Sequence, residues 1–480
     1  MSDATAIPAP PKKPRRWRDA REIALESLVR LETTGAYPKE FLNARLGASA
    51  LTDADRNLAR ELVRGAVVWQ GRIDHTLSRL LTRPLEGLPP PIRNILRIGA
   101  YQILFLEHIP AYAAVSESVR LARQHGHAGT AGLVNAVLRR VADRSEAYSL
   151  RSADVVAGEM DPVDRLAILW SHPAWMVRRW VDRLGPQETE SLCRANNRIP
   201  PVILRHNGLK GPLQTLLDRL RAEGVRVRPH PLQEGFLVVE EGWGLFRTPL
   251  FQEGWATVQD VSAGLAVHLL DPRPDETVLD LCAAPGGKTG FIAERMGDRG
   301  RVVALDRHAG RLRRLTENVR RLGLRSVETA ALDASTFDAG DDLSIRCGAF
   351  DRALVDAPCS GLGVLARRPD IRWRRGPSDL RELAQAQLQL LSRGAASVRR
   401  GGVLVYSTCT TEPEENEGVV EAFLAAHPEF EVEPARDCLD ENRSAGVSPA
   451  IAAVANLYVQ TWSHRHDCDG AFAARLRRVR

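Results

Sequence analysis

From Gly254 onward the chain alternates short apolar runs with helical stretches. The runs are "ETVLDLC", "RVVALD", "VETAAL", "FDRALVD" and "GGVLVYST", and segments such as "AGRLRRLTENVRRLG" lie between them. Apolar runs that short, joined by helices, pair as parallel strands, and a parallel sheet needs helices on both of its faces. The pattern predicts a Rossmann-like α/β domain over 254–480. It also predicts where the chemistry sits, because functional residues in such sheets gather at the carboxyl ends of the strands.

The rest of the chain reads differently. Over 18–150 the period is helical throughout. In "LTDADRNLARELVRGAVVWQ", Thr52 is a cap candidate, and Leu58, Leu62, Val63, Ala66 and Val67 fall on one face. In "IRNILRIGAYQILFLEHIP" the apolar set is Ile92, Ile95, Leu96, Tyr101 and Leu104, with Pro110 as the stop. These segments predict an all-α bundle. Residues 151–253 predict linker helices and a small α+β module, with strands at "PPVILRHN" and "GFLVVEEGW" around a helix at "LQTLLDRLRAEG". Residues 1–17 read as a disordered basic tail carrying Lys12, Lys13, Arg15 and Arg16. The stretch 441–456, "ENRSAGVSPAIAAVAN", matches no element.

Seven cysteines, an odd number with no CxxC spacing, give neither a disulfide framework nor a zinc knuckle. The first residues lack the apolar core of a secretory signal, and no apolar run is long enough to span a bilayer. These features predict a soluble, reduced, cytoplasmic chain that works as a monomer and meets no membrane. The net charge of +6 leans toward a polyanionic partner, although ordinary solvation explains it as well.

The first strand of the α/β region runs into "DLCAAPGGKTG". Gly286 and Gly287 let backbone approach a ligand, and Thr289 is placed to open a helix whose N-terminus attracts negative charge. The loop is not a P-loop, which needs Gly where Cys282 stands, nor GxGxxG, which needs Gly where Ala284 stands. Asp306 ends the second strand, as the ribose-binding acid of a dinucleotide fold does. Asp333 follows the third, where an acid can accept from an adenine amino group. Each alone fits a helix cap or turn. Together they favour a cofactor with ribose and adenine but no polyphosphate, a description that S-adenosylmethionine meets.

Cys359 in "DAPC" and Cys409 in "STCT" both end strands that face one crevice. Two thiols beside a methyl donor suit one reaction in particular. Cytosine C5 is not nucleophilic until a thiolate adds to C6. The ring then becomes an enamine that takes a methyl group at C5, and loss of the C5 proton lets the thiolate leave. One cysteine can attack and the other can assist proton removal or release, while Asp356 can bond the N3/N4 edge of the base. Enzymes that methylate exocyclic amines carry an aromatic residue where Cys359 stands. DNA cytosine-5 enzymes need no second strand-end cysteine, so no DNA partner is expected. The target cytosine must be unpaired or flipped out, because C6 is not reachable inside a helix.

Four stretches, "DLCAAPGGKT", "ALDRH", "LVDAPCSGLGVLARRPDIRW" and "VYSTCT", resemble the RNA cytosine-5 methyltransferases. The all-α region before them resembles the NusB-like RNA-binding domain at the front of that family's Sun/Fmu (RsmB) branch. The resemblance covers the chain from about residue 18. It implies a NusB-like bundle, a small RNA-recognition-like α+β module and a C-terminal S-adenosylmethionine-dependent domain. The implied activity is methylation of a cytosine at C5 in small-subunit (16S) ribosomal RNA. By this resemblance Cys409 is the nucleophile and Cys359 frees the product. Cys282, Ala283, Ala284, Pro285, Gly286, Gly287, Lys288, Asp306, Asp333 and Asp356 contact cofactor or base, and no metal is involved. Two positions depart from the family's Pro-His and Asp-Gly-Phe-Phe pattern: "SHRHDCDGAF" has Ser463 for the Pro and Ala471 for the first Phe.

"ARRPDIRWRR" follows the Cys359 loop and sets Arg367, Arg368, Arg372, Arg374 and Arg375 around Trp373. Arg binds phosphate and stacks on bases, and Trp stacks, so this stretch is the expected RNA contact. His308 reads as a helix-start residue, and His464 and His466 lack partners at metal-ligand spacing. A transfer RNA enzyme of the same chemistry shares all these features. An RNA-binding protein with an inactive methyltransferase domain shares most of them, but the intact cysteine pair argues against it.

Overall fold

The computed structural model describes residues 19–35, 38–148, 160–242, 244–334, 349–439 and 446–480. The basic tail, Cys347 and residues 441–445 lie outside that set. The chain divides into two compact units, Met1–Glu190 and Ser191–Arg480.

The described part of the first unit is helical, with long helices at Ala20–Thr34, Asp53–Val68, Pro90–Phe105, Ala111–His125 and Ala128–Asp143. Thr52 caps the second of these as expected, its hydroxyl accepting from the amide of Asp55 at 3.2 Å. Leu62, Val63, Ala66 and Val67 are buried, as the periodicity requires. Gly65 brings the helices together: a Cβ there would lie 1.9 Å from the Tyr101 ring. Pro110 does not end the helix before it. That helix stops at Phe105, and Pro110 instead stands at the cap of Ala111–His125, where a missing N–H costs nothing.

In the second unit, β1 (Val202–His206), β2 (Arg226–Pro229), β3 (Phe236–Glu241) and β4 (Ala256–Val258) form a sheet in the order β2-β3-β1-β4. β4 lies beyond residue 253, where the sequence pattern closes this module. Helix Leu213–Ala222 covers one face, with Leu216 and Leu220 packed on Leu204 and Leu237.

The main sheet contains β5 (Thr277–Asp280), β6 (Arg301–Asp306), β7 (Val327–Ala331), β8 (Phe350–Asp356), β9 (Val398–Thr408), β10 (Phe430–Glu433), β11 (Val459–Thr461) and β12 (Ala471–Arg478). The order is β10-β12-β9-β8-β5-β6-β7, with β11 beside β12. From β9 to β7 the pairing is parallel, as expected. The sheet is nonetheless mixed, because β12 pairs antiparallel with β9, β10 and β11. Alternate residues feed opposite faces. Val278, Val302, Leu354 and Val405 pack with helices Val261–Leu270, Gly287–Arg295 and Ala309–Leu322. Leu279, Val303, Val355 and Leu404 pack with helices Pro377–Ser397 and Glu417–Ala426. No helix among the described residues is long and apolar enough to cross a membrane.

Candidate active site

β5 ends at Asp280, and the chain turns through 281–286 into helix Gly287–Arg295. Gly286 has φ +98°, and a Cβ there would approach Leu315 Cγ to 2.7 Å, so conformation and space both demand glycine. The helix begins before Thr289. That residue's hydroxyl donates instead to Asp280 Oδ2 at 2.7 Å, inside the fold. Burial, reinforced by the charge of Asp356, pushes the Asp280 carboxyl up to about 7 against the pull of the Thr289 hydrogen bond. Burial likewise pushes the Cys282 thiol up.

Lys288 Nζ lies 2.7 Å from Asp356 Oδ2, and Ser407 Oγ donates to Asp356 Oδ1 at 2.8 Å. Burial works against the Lys288 charge, but Asp356 outweighs it and holds the ammonium above its usual range.

β8 and β9 are adjacent and parallel, with Asp356 opposite Ser407. The loops after them therefore leave the sheet side by side. Cys359 Sγ and Cys409 Sγ are 3.2 Å apart, and the Cys409 amide donates to Cys359 Sγ at 3.3 Å. The hydrogen bond with Cys409, then burial and the nearby negative charge of Glu415, push the Cys359 thiol well above its ordinary value. Gly363 donates to the Cys409 carbonyl at 3.1 Å and accepts from Gly470 N at 2.8 Å. A Cβ on Gly363 would lie 1.9 Å from Gly470 O, so the "DGAF" segment seals the back of the cysteine loops. Ala471 starts β12, opposite Thr461, and Ser463 Oγ contacts Asn196 Oδ1 at 3.4 Å. Neither departure from the family pattern lines the cleft.

The cleft has a volume of about 490 Å³. It gathers six of the expected residues: Cys282, Ala284, Lys288, Asp356, Cys359 and Cys409. Ala283, Pro285, Gly286, Gly287, Asp306 and Asp333 are not in its lining. Asp306, at the tip of β6, is buried; it accepts from His308 N at 2.9 Å and lies 3.4 Å from Arg311 Nη1. His308 immediately precedes helix Ala309–Leu322, as expected. Asp333 stands just past the end of β7. Cys193 and Cys468 are buried, and none of Cys193, Cys438 and Cys468 lines the cleft.

The basic stretch divides. Arg368, Arg374 and Arg375 line the cleft. Arg367 turns inward to Asp469 and Asp260, both 2.8 Å away, and Arg372 is fully buried, with Nη1 2.7 Å from Asn197 Oδ1. Those two arginines are engaged within the protein and tie the loop to the core. Arg311 lines the cleft beside the turn after β5 and donates to the Ala284 carbonyl. No local pattern singles it out, because it belongs to an exposed amphipathic helix. Gln387 and Glu415, which hold the Cys359 loop, stand at no strand end, so no local pattern marks them either.

A family model described as 16S rRNA methyltransferase RsmB/F matches residues 267–477. The NusB family model matches 18–143, and a ferredoxin-like domain of RsmF/B-like methyltransferases matches 172–243. The chain is 38% identical over 458 residues to the "Probable ribosomal RNA small subunit methyltransferase B" of Bacillus subtilis (strain 168), covering 95% of this chain and 98% of that one. The crystal structure of PH0851 matches with a TM-score of 0.75 and 26% identity, over 95% of this chain and 98% of that one. The structure of NSun6 from Pyrococcus horikoshii with SFG matches with a TM-score of 0.51 and 25% identity, over 63% of this chain and 97% of that one.

Proposed function

The chain belongs to the 16S rRNA methyltransferase RsmB/F family, and from that premise we propose that it methylates C5 of a cytosine in small-subunit ribosomal RNA through a covalent Cys409 adduct. The observation that carries this reading is the 3.2 Å approach of Cys359 Sγ to Cys409 Sγ inside the cleft that Lys288 and Asp356 also line.

The donor set suits S-adenosylmethionine. Small residues make the turn after β5, acids stand at the tip of β6 and past β7, and the nearby lysine is already paired with Asp356. That arrangement fits hydroxyl and amino groups better than a polyphosphate. When bound, S-adenosylmethionine supplies the methyl group. Ala284, Gly286, Gly287, Asp306 and Asp333 would hold it, with Cys282 packed against it.

Within the chain, Asp356 takes the N3/N4 edge of the cytosine, with Lys288 keeping its carboxylate oriented. Cys409 adds to C6 as a thiolate, and the C5–C6 π pair moves to C5. After C5 gains its methyl group, the C5 proton leaves to water, the double bond re-forms and the Cys409–C6 bond breaks. Cys359 Sγ accepts from the Cys409 amide, which leaves its own hydrogen for Cys409 Sγ. A neutral thiol donating there stabilises the Cys409 thiolate when it leaves. Arg368, Arg374 and Arg375 supply the phosphate contacts.

Methyl incorporation into unmodified small-subunit rRNA, read by bisulfite sequencing, tests the proposal. Cys409→Ser should abolish incorporation while RNA binding persists. Cys359→Ala, which removes the donor, should accumulate a covalent RNA–protein adduct that migrates slowly on a denaturing gel. Full activity in Cys409→Ser, or methylation at an atom other than C5, refutes it.

A further inference from the structure

Beneath the Cys359 loop lies a buried polar clamp that the chemistry above leaves unexplained. Glu415, Gln387 and Tyr406 are all fully buried. Gln387 Nε2 donates to the Pro358 carbonyl at 3.0 Å, and the Ser360 amide donates to Glu415 Oε2 at 2.7 Å. The two peptide groups flanking Cys359 are thus held, one from each side. Gln387 Nε2 also donates to Glu415 Oε2 at 2.9 Å, which joins the two halves. The Tyr406 hydroxyl braces both, 3.1 Å from Gln387 Oε1 and 2.5 Å from the Glu415 carbonyl. From the cleft side, Arg375 Nη2 reaches the Cys359 carbonyl at 3.5 Å.

A carboxylate is an unfavourable choice for this place if packing were all it did. Burying a charge costs several kcal/mol unless partners compensate, and Glu415 Oε1 makes no hydrogen bond among the described residues. No arginine or lysine pairs with it there. A neutral glutamine could accept the same two hydrogen bonds. What the carboxylate adds, in the ionised form that burial opposes and the Ser360 and Gln387 hydrogen bonds favour, is negative charge beneath Cys359. The other titratable and charged groups around that sulfur are Cys409, Tyr406, Arg375 and the Lys288–Asp356 pair.

We propose that Glu415, working through Gln387, is the positioning residue for the release half of the cycle: it fixes Cys359 Sγ against Cys409 and sets its own charge beneath that sulfur. The inference rests on the covalent mechanism proposed above. In release, the C5 proton passes to water and the C5–H pair becomes the C5–C6 double bond. The C6–Sγ bond breaks with its pair on Cys409, and the Cys359 S–H donates to that new thiolate. A displaced Cys359, or one ionised early, cannot do this, yet attack at C6 does not need it.

Glu415→Ala removes charge and acceptor together, and Glu415→Gln removes the charge alone. Each is given an unmodified small-subunit rRNA transcript and S-adenosylmethionine. Single-turnover methylation, steady-state turnover and the fraction of protein trapped as adduct are then measured. In Glu415→Ala, single-turnover methylation should stay within about threefold of wild type, turnover should fall about tenfold or more, and adduct should accumulate. Glu415→Gln should lie between Glu415→Ala and wild type. A parallel fall in both rates without adduct would mean the clamp only supports the fold, and unchanged turnover would remove it from the mechanism. If Glu415→Ala does not fold, Glu415→Gln decides by the same gel, and an adduct no greater than in wild type overturns the proposal. Cys359→Ala on that gel separates the two claims. Adduct there but not in the Glu415 variants sinks the clamp alone; no adduct in any of them, with no C5 methylation, sinks the covalent cycle.

Discussion

In the eight-stranded sheet the strand tips open onto a cleft, whereas in the four-stranded sheet the face away from its own helix is closed. Ile203, Phe236 and Val238 on that face share a core with Val261, Leu265 and Phe291 of the main domain. Arg205 of β1 goes with them. It is buried against Glu294, donates to Gln259 Oε1 at 2.5 Å, and lies 4.4 Å over the Phe291 ring. A ferredoxin-like sheet can stack nucleobases only if its face is free. Here that face is a structural joint, so it is not free to stack bases. The same kind of residue therefore does opposite work in the two regions. Arginines at the cleft line an open cavity, and the arginine behind the small sheet serves the protein itself.

The comparison breaks most visibly at Arg205. Removing one partner of a buried ion pair leaves the other charged and desolvated, at a cost of about 3–5 kcal/mol. Arg205→Ala should lower the urea midpoint of the catalytic unit by that much stability, and Arg205→Met with Glu294→Leu should recover most of it. A loss under about 1 kcal/mol would mean that water reaches Glu294.

His268 probes the same joint by pH. It is buried in helix Val261–Leu270, with its ring 5.3 Å from that of Phe291. Burial, helped by the charges of Arg295 and Arg205, lowers its pKa from 6.5 to about 3. The unfolded chain therefore binds a proton that the folded one refuses. The stability this gives is complete above pH 6.5 and is lost as pH falls toward 3, at up to about 1.4 kcal/mol per unit. Unfolding titrations between pH 7 and pH 5 should show a loss of about 2 kcal/mol in wild type that His268→Leu lacks. Equal slopes would mean that the ring is solvated.

These two regions also differ in how far the sequence foretold them. β5, β6, β8 and the end of β9 were legible because both of their faces are covered, so they read as apolar runs, whereas the edge strand β7 is largely exposed and was legible only from its place in the strand–helix alternation. The cysteine pair was legible because parallel neighbours bring their tips together. β12 was not, since Arg475 and Arg477 interrupt its apolar pattern. In the fold both pair with Glu433 on β10, a partner no local pattern announces. Glu415 and Gln387 were missed for the same reason: one lies in a turn after Cys409 and the other in mid-helix, and only the tertiary fold sets them under Cys359. The closed face of β1 was hidden because its strand looks the same whether solvent or a second domain covers it. Arg205 in "VILRH" reads as the polar member of a half-exposed strand.

The smallest effect expected is at the cleft rim, and there the contrast can be drawn within one loop. Arg374 is 45% exposed, and its Nη1 is 3.4 Å from Asp370 Oδ2. Asp370 is buried, but Arg368 also pairs with it at 3.4 Å, so loss of the half-exposed Arg374 leaves that carboxylate compensated. The Arg374 charge remains available to a phosphate, so Arg374→Ala should weaken rRNA binding by about three- to fivefold and reduce the slope of log affinity against log salt by about 1. Methylation at saturating RNA should not change. Arg372, two residues earlier, faces Asn196 and Asn197 instead. Arg372→Ala should leave the salt slope alone and show itself in unfolding. If the two variants change the salt slope equally, the division of this loop into a buried anchor and a phosphate contact is wrong, and the RNA path must be sought on another surface.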